Sequence, residues 1–264
     1  MNPFLEVAIE TAHEAGAILR AEFARPKKIS YKGEVDIVTE SDRRSEALIV
    51  SRLRERFPEH GIVAEEGGGR AAASAKYCWH VDPLDGTTNF AHGYPCFAVS
   101  IGLLGDGEPV VGAVFNPASD ELFTAARGEG AYLNGNVIHV SPIEKLAYSL
   151  VATGFPTHQR KNSANIAYYW EFTLRSHGVR RDGSAALDLC SVACGRFDGF
   201  WEFGLNSWDT AAGILVIREA GGTVTDLAGG PYRVGGGSIL ASNGHIHEEM
   251  REVAAMIAKR EKAP

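Results

Sequence analysis

The sequence predicts a layered α/β protein, and three observations carry that expectation. Apolar residues recur at helical spacing in some stretches and as short β-branched runs in others, and both kinds occur in each half of the chain. With 264 residues, 45% of them hydrophobic, the chain can bury a large core. Charged residues make up 22% and form no low-complexity block, which argues against long disordered segments. No internal repeat is present.

The elements follow in order. Asn2-Pro3 reads as a helix start, and Phe4, Ala8, Ala12, Ala15, Ile18, Leu19 and Phe23 keep one apolar face until Pro26 ends it. Residues 27–40 are short and β-like, with a turn at Gly33 and Lys32 beside it. A second helix spans Ser41 to Phe57 on Leu48, Ile49 and Leu53, and Pro58 stops it. Ile62-Val63 leads into Glu65-Glu66, and Gly67 to Ala75 reads as a surface loop. Tyr77 to Val81 is a strand with Asp82 directly after it. From Phe97 to Ala126 three apolar runs are separated by Gly, Asp and Pro turns, and Asn134-Gly135 predicts a hairpin into Val137–Val140.

In the second half, residues 162–177 read as helix and Ser184–Cys194 as a helix closed by Gly195. Asp198–Phe203 is a strand, and Trp208–Ala220 is a helix closed by Gly221-Gly222. Strands near 222–226 and 238–242 precede a last helix from His247. The expectation is one unit over 1–264, with subdomains of about 1–145 and 146–264.

The net charge of −7 excludes an overall basic footprint for nucleic acid, and the pairs Lys27-Lys28 and Arg180-Arg181 are too small to reverse it. The first 25 residues form an amphipathic pattern, not the apolar stretch of a signal peptide, and no run is long enough to span a bilayer. Cys78, Cys96, Cys190 and Cys194 form no C-x-x-C pair, so reduced thiols and a cytoplasmic location are expected. Cys190 and Cys194 share a helical face, which core burial explains better than a metal. His245 and His247 read as residues of a helix start.

The chemistry concentrates in residues 82–90, Asp-Pro-Leu-Asp-Gly-Thr-Thr-Asn-Phe. Two carboxylates three apart close an apolar strand, and Gly86-Thr87 opens a helix or tight turn. Carboxylates and backbone carbonyls are the hard ligands that Mg²⁺ prefers. A helix N-terminus offers free N–H groups to phosphate. An Asp-Gly turn alone is common; the complete nonapeptide is not.

That nonapeptide resembles the signature of the inositol monophosphatase family, the lithium-sensitive Mg²⁺ phosphatases. Three further matches stand in family order: Val38-Thr39-Glu40-Ser41-Asp42, Glu65-Glu66, and Trp208-Asp209-Thr210-Ala211-Ala212-Gly213. The resemblance implies an αβαβα sandwich and, commonly, a homodimer. It implies a first Mg²⁺ on Glu65, Asp82 and the Leu84 carbonyl, and a second on Asp82, Asp85 and Asp209. A third, weaker ion reaches Glu65 through water.

By the same resemblance Thr87 and Asp42 orient the attacking water, and N–H groups near Gly86 and Thr87 hold phosphate, so no covalent intermediate is needed. Gly183-Ser184-Ala185 and Glu202 read the substrate's hydroxyls beside Asp85 and Asp209. The implied activity is Mg²⁺-dependent hydrolysis of a phosphate monoester, with inositol monophosphate first. Fructose 1,6-bisphosphate, histidinol phosphate and adenosine 3′,5′-bisphosphate are the alternatives among related enzymes, and Thr87-Thr88-Asn89-Phe90 favours the inositol branch. A binding protein on the same fold is the alternative of another class, disfavoured because no ligand is missing. Asp182, and Asn206-Ser207 where a Pro before the Trp is common, depart from the family pattern on the substrate side.

Overall fold

The computed structural model describes residues 2–25, 29–31, 37–67, 75–155 and 164–261. Lys27-Lys28, Lys32, Gly33 and most of the predicted 67–75 loop lie outside the described residues.

Helix α1 (Pro3–Phe23) starts where Asn2 Oδ1 accepts the Phe4 N–H at 3.0 Å, and it buries Leu5, Ala8, Ala12, Ala15 and Leu19. After the two-stranded ladder of β1 (Ile29–Tyr31) and β2 (Ile37–Thr39) comes α2 (Glu40–Arg56). A seven-stranded sheet follows: β3 (Gly61–Ala64), β4 (Tyr77–Asp85), β5 (Ala98–Gly105), β6 (Glu108–Asn116), β7 (Glu121–Ala126), β8 (Ala131–Leu133) and β9 (Asn136–Val137), in that spatial order. Its β3–β4 pair is parallel and the remainder antiparallel. The short helix α3 (Thr87–His92) interrupts it after β4.

The second sheet has five strands in the order β11 (Gly178–Arg180), β10 (Leu150–Thr153), β12 (Gly199–Phe203), β14 (Ser238–Ser242), β13 (Thr223–Thr225). Helices α4 (Asn165–Arg175), α5 (Ala185–Ala193) and α6 (Ser207–Glu219) lie between its strands in sequence, and α7 (His247–Glu261) follows the last of them.

Three apolar clusters define the layers. One joins α1 and α2 to the outer face of the large sheet, through Leu19, Leu53, Trp79 and Ile101. A second surrounds α5 and α6 between the two sheets, from Val114 and Phe123 on one side to Phe200 and Ile239 on the other. A third packs α4 and α7 on the far face of the small sheet, around Phe172, Trp201 and Met250. The order is therefore helices, sheet, helices, sheet, helices, as expected from the sequence.

The differences from the sequence reading are local. β4 does not stop at Val81 but continues to Asp85. The strand expected over Val137–Val140 is only Asn136–Val137. Strands β10 and β11, three or four residues each, were not anticipated.

Helix α6 lies almost on the backbone of the large sheet. A Cβ on Gly102 would stand 2.8 Å from the Ala211 carbonyl carbon, and one on Gly112 2.8 Å from the Ala212 oxygen. Backbone on both sides leaves no flexible atom to yield. Gly102→Val is therefore expected to cost about 1–3 kcal/mol through overpacking. Urea denaturation measures this, and a wild-type midpoint would refute the contact.

Candidate active site

Asp82 and Asp85 are an odd number of residues apart, so on a regular strand they would face opposite sides of the sheet. A bulge corrects this: Asp82 pairs with Ser100 and Asp85 with Ala98, three residues of β4 against two of β5. Both carboxylates thereby come to the face that meets α5 and α6. The bulge holds its shape through Leu84 N–H donating to Asp82 Oδ1 at 3.0 Å and Ser45 Oγ donating to the Pro83 carbonyl at 2.8 Å. Gly86 then turns the chain into α3 at φ +89°, and a Cβ there would meet the Cys96 oxygen at 2.8 Å. Only glycine satisfies both conditions.

Four helix N-termini supply the remaining groups. At α2, Thr39 N–H donates to Asp42 Oδ2 at 2.8 Å and the Thr39 hydroxyl donates to the same oxygen at 2.5 Å. Asp42 is thus a capping residue, but only with one oxygen. Its Oδ1 accepts from Thr87 Oγ1, at the start of α3, at 3.0 Å. The Leu84 carbonyl lies 3.0 Å from the same hydroxyl, whose single proton serves one acceptor at a time. At α5, the Ser184 hydroxyl and the Ala186 N–H each donate to Asp85 Oδ2 at 2.7 Å. At α6, Asn206 N–H donates to Asp209 Oδ2 at 2.6 Å.

Glu65 follows β3, its N–H donating to the Val81 carbonyl at 3.3 Å. Its charge acts on both Asp82 and Asp209. Burial, then the charges of Glu65, Asp85 and Asp209, raise Asp82 well above the usual carboxylate range. Burial and the Asp85 charge push Asp209 up to about 8. Burial raises Asp85 too, opposed by donors from Ser184, Ala186, Ala185 and Gly86. Burial lifts Asp42 against the pull of Thr39 and Thr87.

Glu202, at the end of β12, is buried and raised by its burial and by Asp209 and Asp85, while Arg181 opposes the rise. Its carboxylate rests on Gly154, where a Cβ would collide at 2.2 Å. Gly183, at φ +88°, precedes Ser184 and Ala185 along the rim beside Asp85.

The fold thus gathers every residue singled out from the sequence: Asp42, Glu65, Asp82, Leu84, Asp85, Gly86, Thr87, Gly183, Ser184, Ala185, Glu202 and Asp209. Sequence reasoning passed over Asp188, a lone carboxylate in the apolar run of α5. It is buried, its Oδ2 has no hydrogen-bond partner among the described residues, and burial followed by Asp182, Glu202 and Asp85 raises it. The isolated acid in Ala-Ala-Leu-Asp-Leu-Cys was the available signal. His247, by contrast, is a core residue bonded to Thr225 and Ser242.

Among the described residues no three His, Cys, Asp or Glu side chains stand as a closed metal-binding group. Asp82, Asp85 and Asp209 feel one another's charge, but each has an oxygen held by a backbone donor. The donor set is nonetheless all hard oxygen, buried or half-buried and short of positive charge, which suits a divalent cation.

An oxygen-rich site of this kind suits phosphate chemistry beside a divalent cation. The chain is a member of the inositol monophosphatase family, whose profile matches residues 1–262. An inositol-1-monophosphatase of Synechocystis is 47% identical over 259 residues, 97% of this chain and 90% of that protein. A protein of Vibrio cholerae named Nus factor SuhB is 45% identical over 246 residues, 92% of each chain. The solved inositol monophosphatase of Anabaena superposes with a TM-score of 0.88 at 44% identity, covering 96% of this chain and 95% of that one. The family and these relatives support phosphatase activity. Among the described residues no helix is long and apolar enough to cross a membrane.

A carboxyl whose pKa is raised by folding stabilises the fold below its unfolded value and loses that contribution as pH rises through its folded value. For Asp209 the window runs from the ordinary carboxylate value near 4 up to about 8. In EDTA, the wild-type melting temperature is expected to fall between about pH 6 and pH 8, and less so in Asp209→Asn. Differential scanning fluorimetry decides, and a wild-type midpoint that rises across that range refutes the raised pKa.

Proposed function

We propose that the protein is a Mg²⁺-dependent phosphatase acting on small phosphate monoesters, with myo-inositol monophosphate as its leading substrate. The observation that carries the reading is the gathering of Asp82, Asp85, Asp209 and Glu65 around the end of β4, where Leu84 links Asp82 to the Thr87–Asp42 pair. Glu65, Asp82 and the Leu84 carbonyl would hold one Mg²⁺, and Asp82, Asp85 and Asp209 another, with a third weakly placed at Glu65. Bound there, the ions supply positive charge that neutralises the phosphate dianion and the charge developing on the departing oxygen.

The chain's own groups do the rest. Thr87 Oγ1, donating to Asp42 Oδ1, leaves its lone pairs free to accept from a water and aim it at phosphorus. The proton of that water passes through Thr87 to Asp42. Burial makes Asp42 a stronger base than an exposed aspartate. N–H groups at Thr87 and Gly86 anchor the phosphate, Gly86 sharing its own with Asp85. Glu202 accepts from hydroxyls of the ring, and the Gly183–Ala185 rim limits its size. Water attacks directly, so no side chain is phosphorylated. Holding water and phosphate in line removes much of the entropic barrier of a very slow reaction.

The names of relatives favour a second reading. Besides the Vibrio protein, one from Neisseria meningitidis named putative Nus factor SuhB is 42% identical over 256 residues. A macromolecular partner on the same fold is thus compatible with catalysis. The net charge of −7 argues for a protein partner over direct nucleic-acid binding. A stable complex with a macromolecule that survives Asp82→Asn would support this role.

Phosphate release is to be measured on inositol 1-phosphate, glycerol 2-phosphate, fructose 1,6-bisphosphate, adenosine 3′,5′-bisphosphate and histidinol phosphate, with Mg²⁺ or EDTA. Release is expected only with Mg²⁺, fastest on inositol 1-phosphate and inhibited by millimolar Li⁺. Asp209→Asn should remain folded and lose several orders of magnitude in turnover. Another leading ester overturns the substrate, and near wild-type turnover in Asp209→Asn overturns the metal assignment.

A further inference from the structure

We infer that His80 and Ser207 are a positioning pair that fixes the separation of Asp82 and Asp209 and thereby sets the affinity of the metal site; this rests on the metal-site reading above. His80 Nδ1 and Ser207 Oγ are 2.8 Å apart, joining residues 127 positions distant in the chain. His80 and Asp82 are two apart on β4 before the bulge, so both side chains face α6. Ser207 is the first residue of α6 and Asp209 the third. The bond therefore links the residue two before one carboxylate to the residue two before the other.

The packing of α6 explains why such a bond is needed. At Gly102 and Gly112 the sheet presents bare backbone to Ala211 and Ala212. A helix against glycine meets no side-chain ridge that would stop it sliding or rotating. On the side of the large sheet, the position of its first turn depends on directional bonds. These are the His80–Ser207 contact and the longer Ser100 Oγ–Trp208 carbonyl bond at 3.4 Å. His80–Ser207 ties the first turn of α6 to β4 two residues before each carboxylate. Without it the N-terminus of α6 relaxes outward in the metal-free protein, and cation binding has to draw it back. The loss is then in affinity rather than in turnover of the filled site.

The test is Mg²⁺ titration calorimetry on the full chain, with kcat at saturating Mg²⁺ alongside. Ser207→Ala and His80→Leu are each expected to weaken Mg²⁺ binding about three- to tenfold, the span of one net hydrogen bond. The double variant should be no weaker than the worse single one, because both remove the same bond. His80→Asn, whose amide can stand where Nδ1 stood, should remain within about twofold of wild type. Saturated kcat should change less than about twofold in all of them.

Thr225→Ala, which removes a 3.0 Å bond to His247 away from the site, should lower the melting temperature and leave Mg²⁺ affinity unchanged. Ser207→Ala with wild-type affinity overturns the inference, whatever its melting temperature. If His80→Leu does not fold, Ser207→Ala, which deletes one oxygen, still decides. A wild type that neither binds Mg²⁺ nor releases phosphate fails at the earlier step and removes the metal reading itself.

Discussion

Repulsion among carboxylates crowded at the end of β4, one buried and the others half-buried, is the constraint around which the rest of the structure is arranged. Glu65, Asp85 and Asp209 raise the energy of the ionised form of Asp82, Asp85 and Glu65 do the same to Asp209, and Asp209 and Asp85 to Glu202. The fold answers with backbone N–H groups. Asp42, Asp85 and Asp209 each place one oxygen on donors at the start of α2, α5 and α6, and Asp82 accepts from the Leu84 N–H within the bulge. Each helix start contributes roughly half a positive charge to the region. This holds the carboxylates in place without neutralising them, and the remaining deficit of positive charge is what a divalent cation would fill.

The layered architecture makes such convergence possible. Strands β3 and β4 bring Glu65, Asp82 and Asp85 from the first half of the chain, while the central helices bring Ser184 and Asp209 from the second. The bodies of α5 and α6 are buried between the sheets, which brings their first turns to the site. The glycines beneath α6 bring its backbone against the sheet, and the positive φ of Gly86 and Gly183 turns two segments of the chain toward the same site. Glycine is used here for distance as much as for conformation.

Much of this was legible in the sequence because helix signals are local. The cap of α1, the stops at Pro26 and Pro58, and the apolar periodicity of α2 and α6 can be read within a few residues. The set of site residues was also legible, through motifs with characteristic spacing. The bulge in β4 was not, because it is a property of the β4–β5 register and β5 begins thirteen residues after Asp85. Strands β10 and β11 were missed because three or four residues give no measurable period, and their extended form comes from pairing in a sheet. Asp188 was overlooked because its surroundings come from Asp182 and Glu202, which the fold brings near. Ser207 stood out only as a departure; its partner His80 lies 127 residues away.

The contact of α6 with Gly102 and Gly112 also has a consequence in time. The strands that carry those glycines end at Asn116, but the helix is complete only at Glu219, roughly 100 residues later. At about 5–20 residues per second, a ribosome takes on the order of 5–20 s to make up that difference. During that interval the inner face of the large sheet, including Val114 and Phe123, is synthesised but lacks its cover. The nascent chain must delay closing that sheet, or shield it, until its second half emerges from the ribosome.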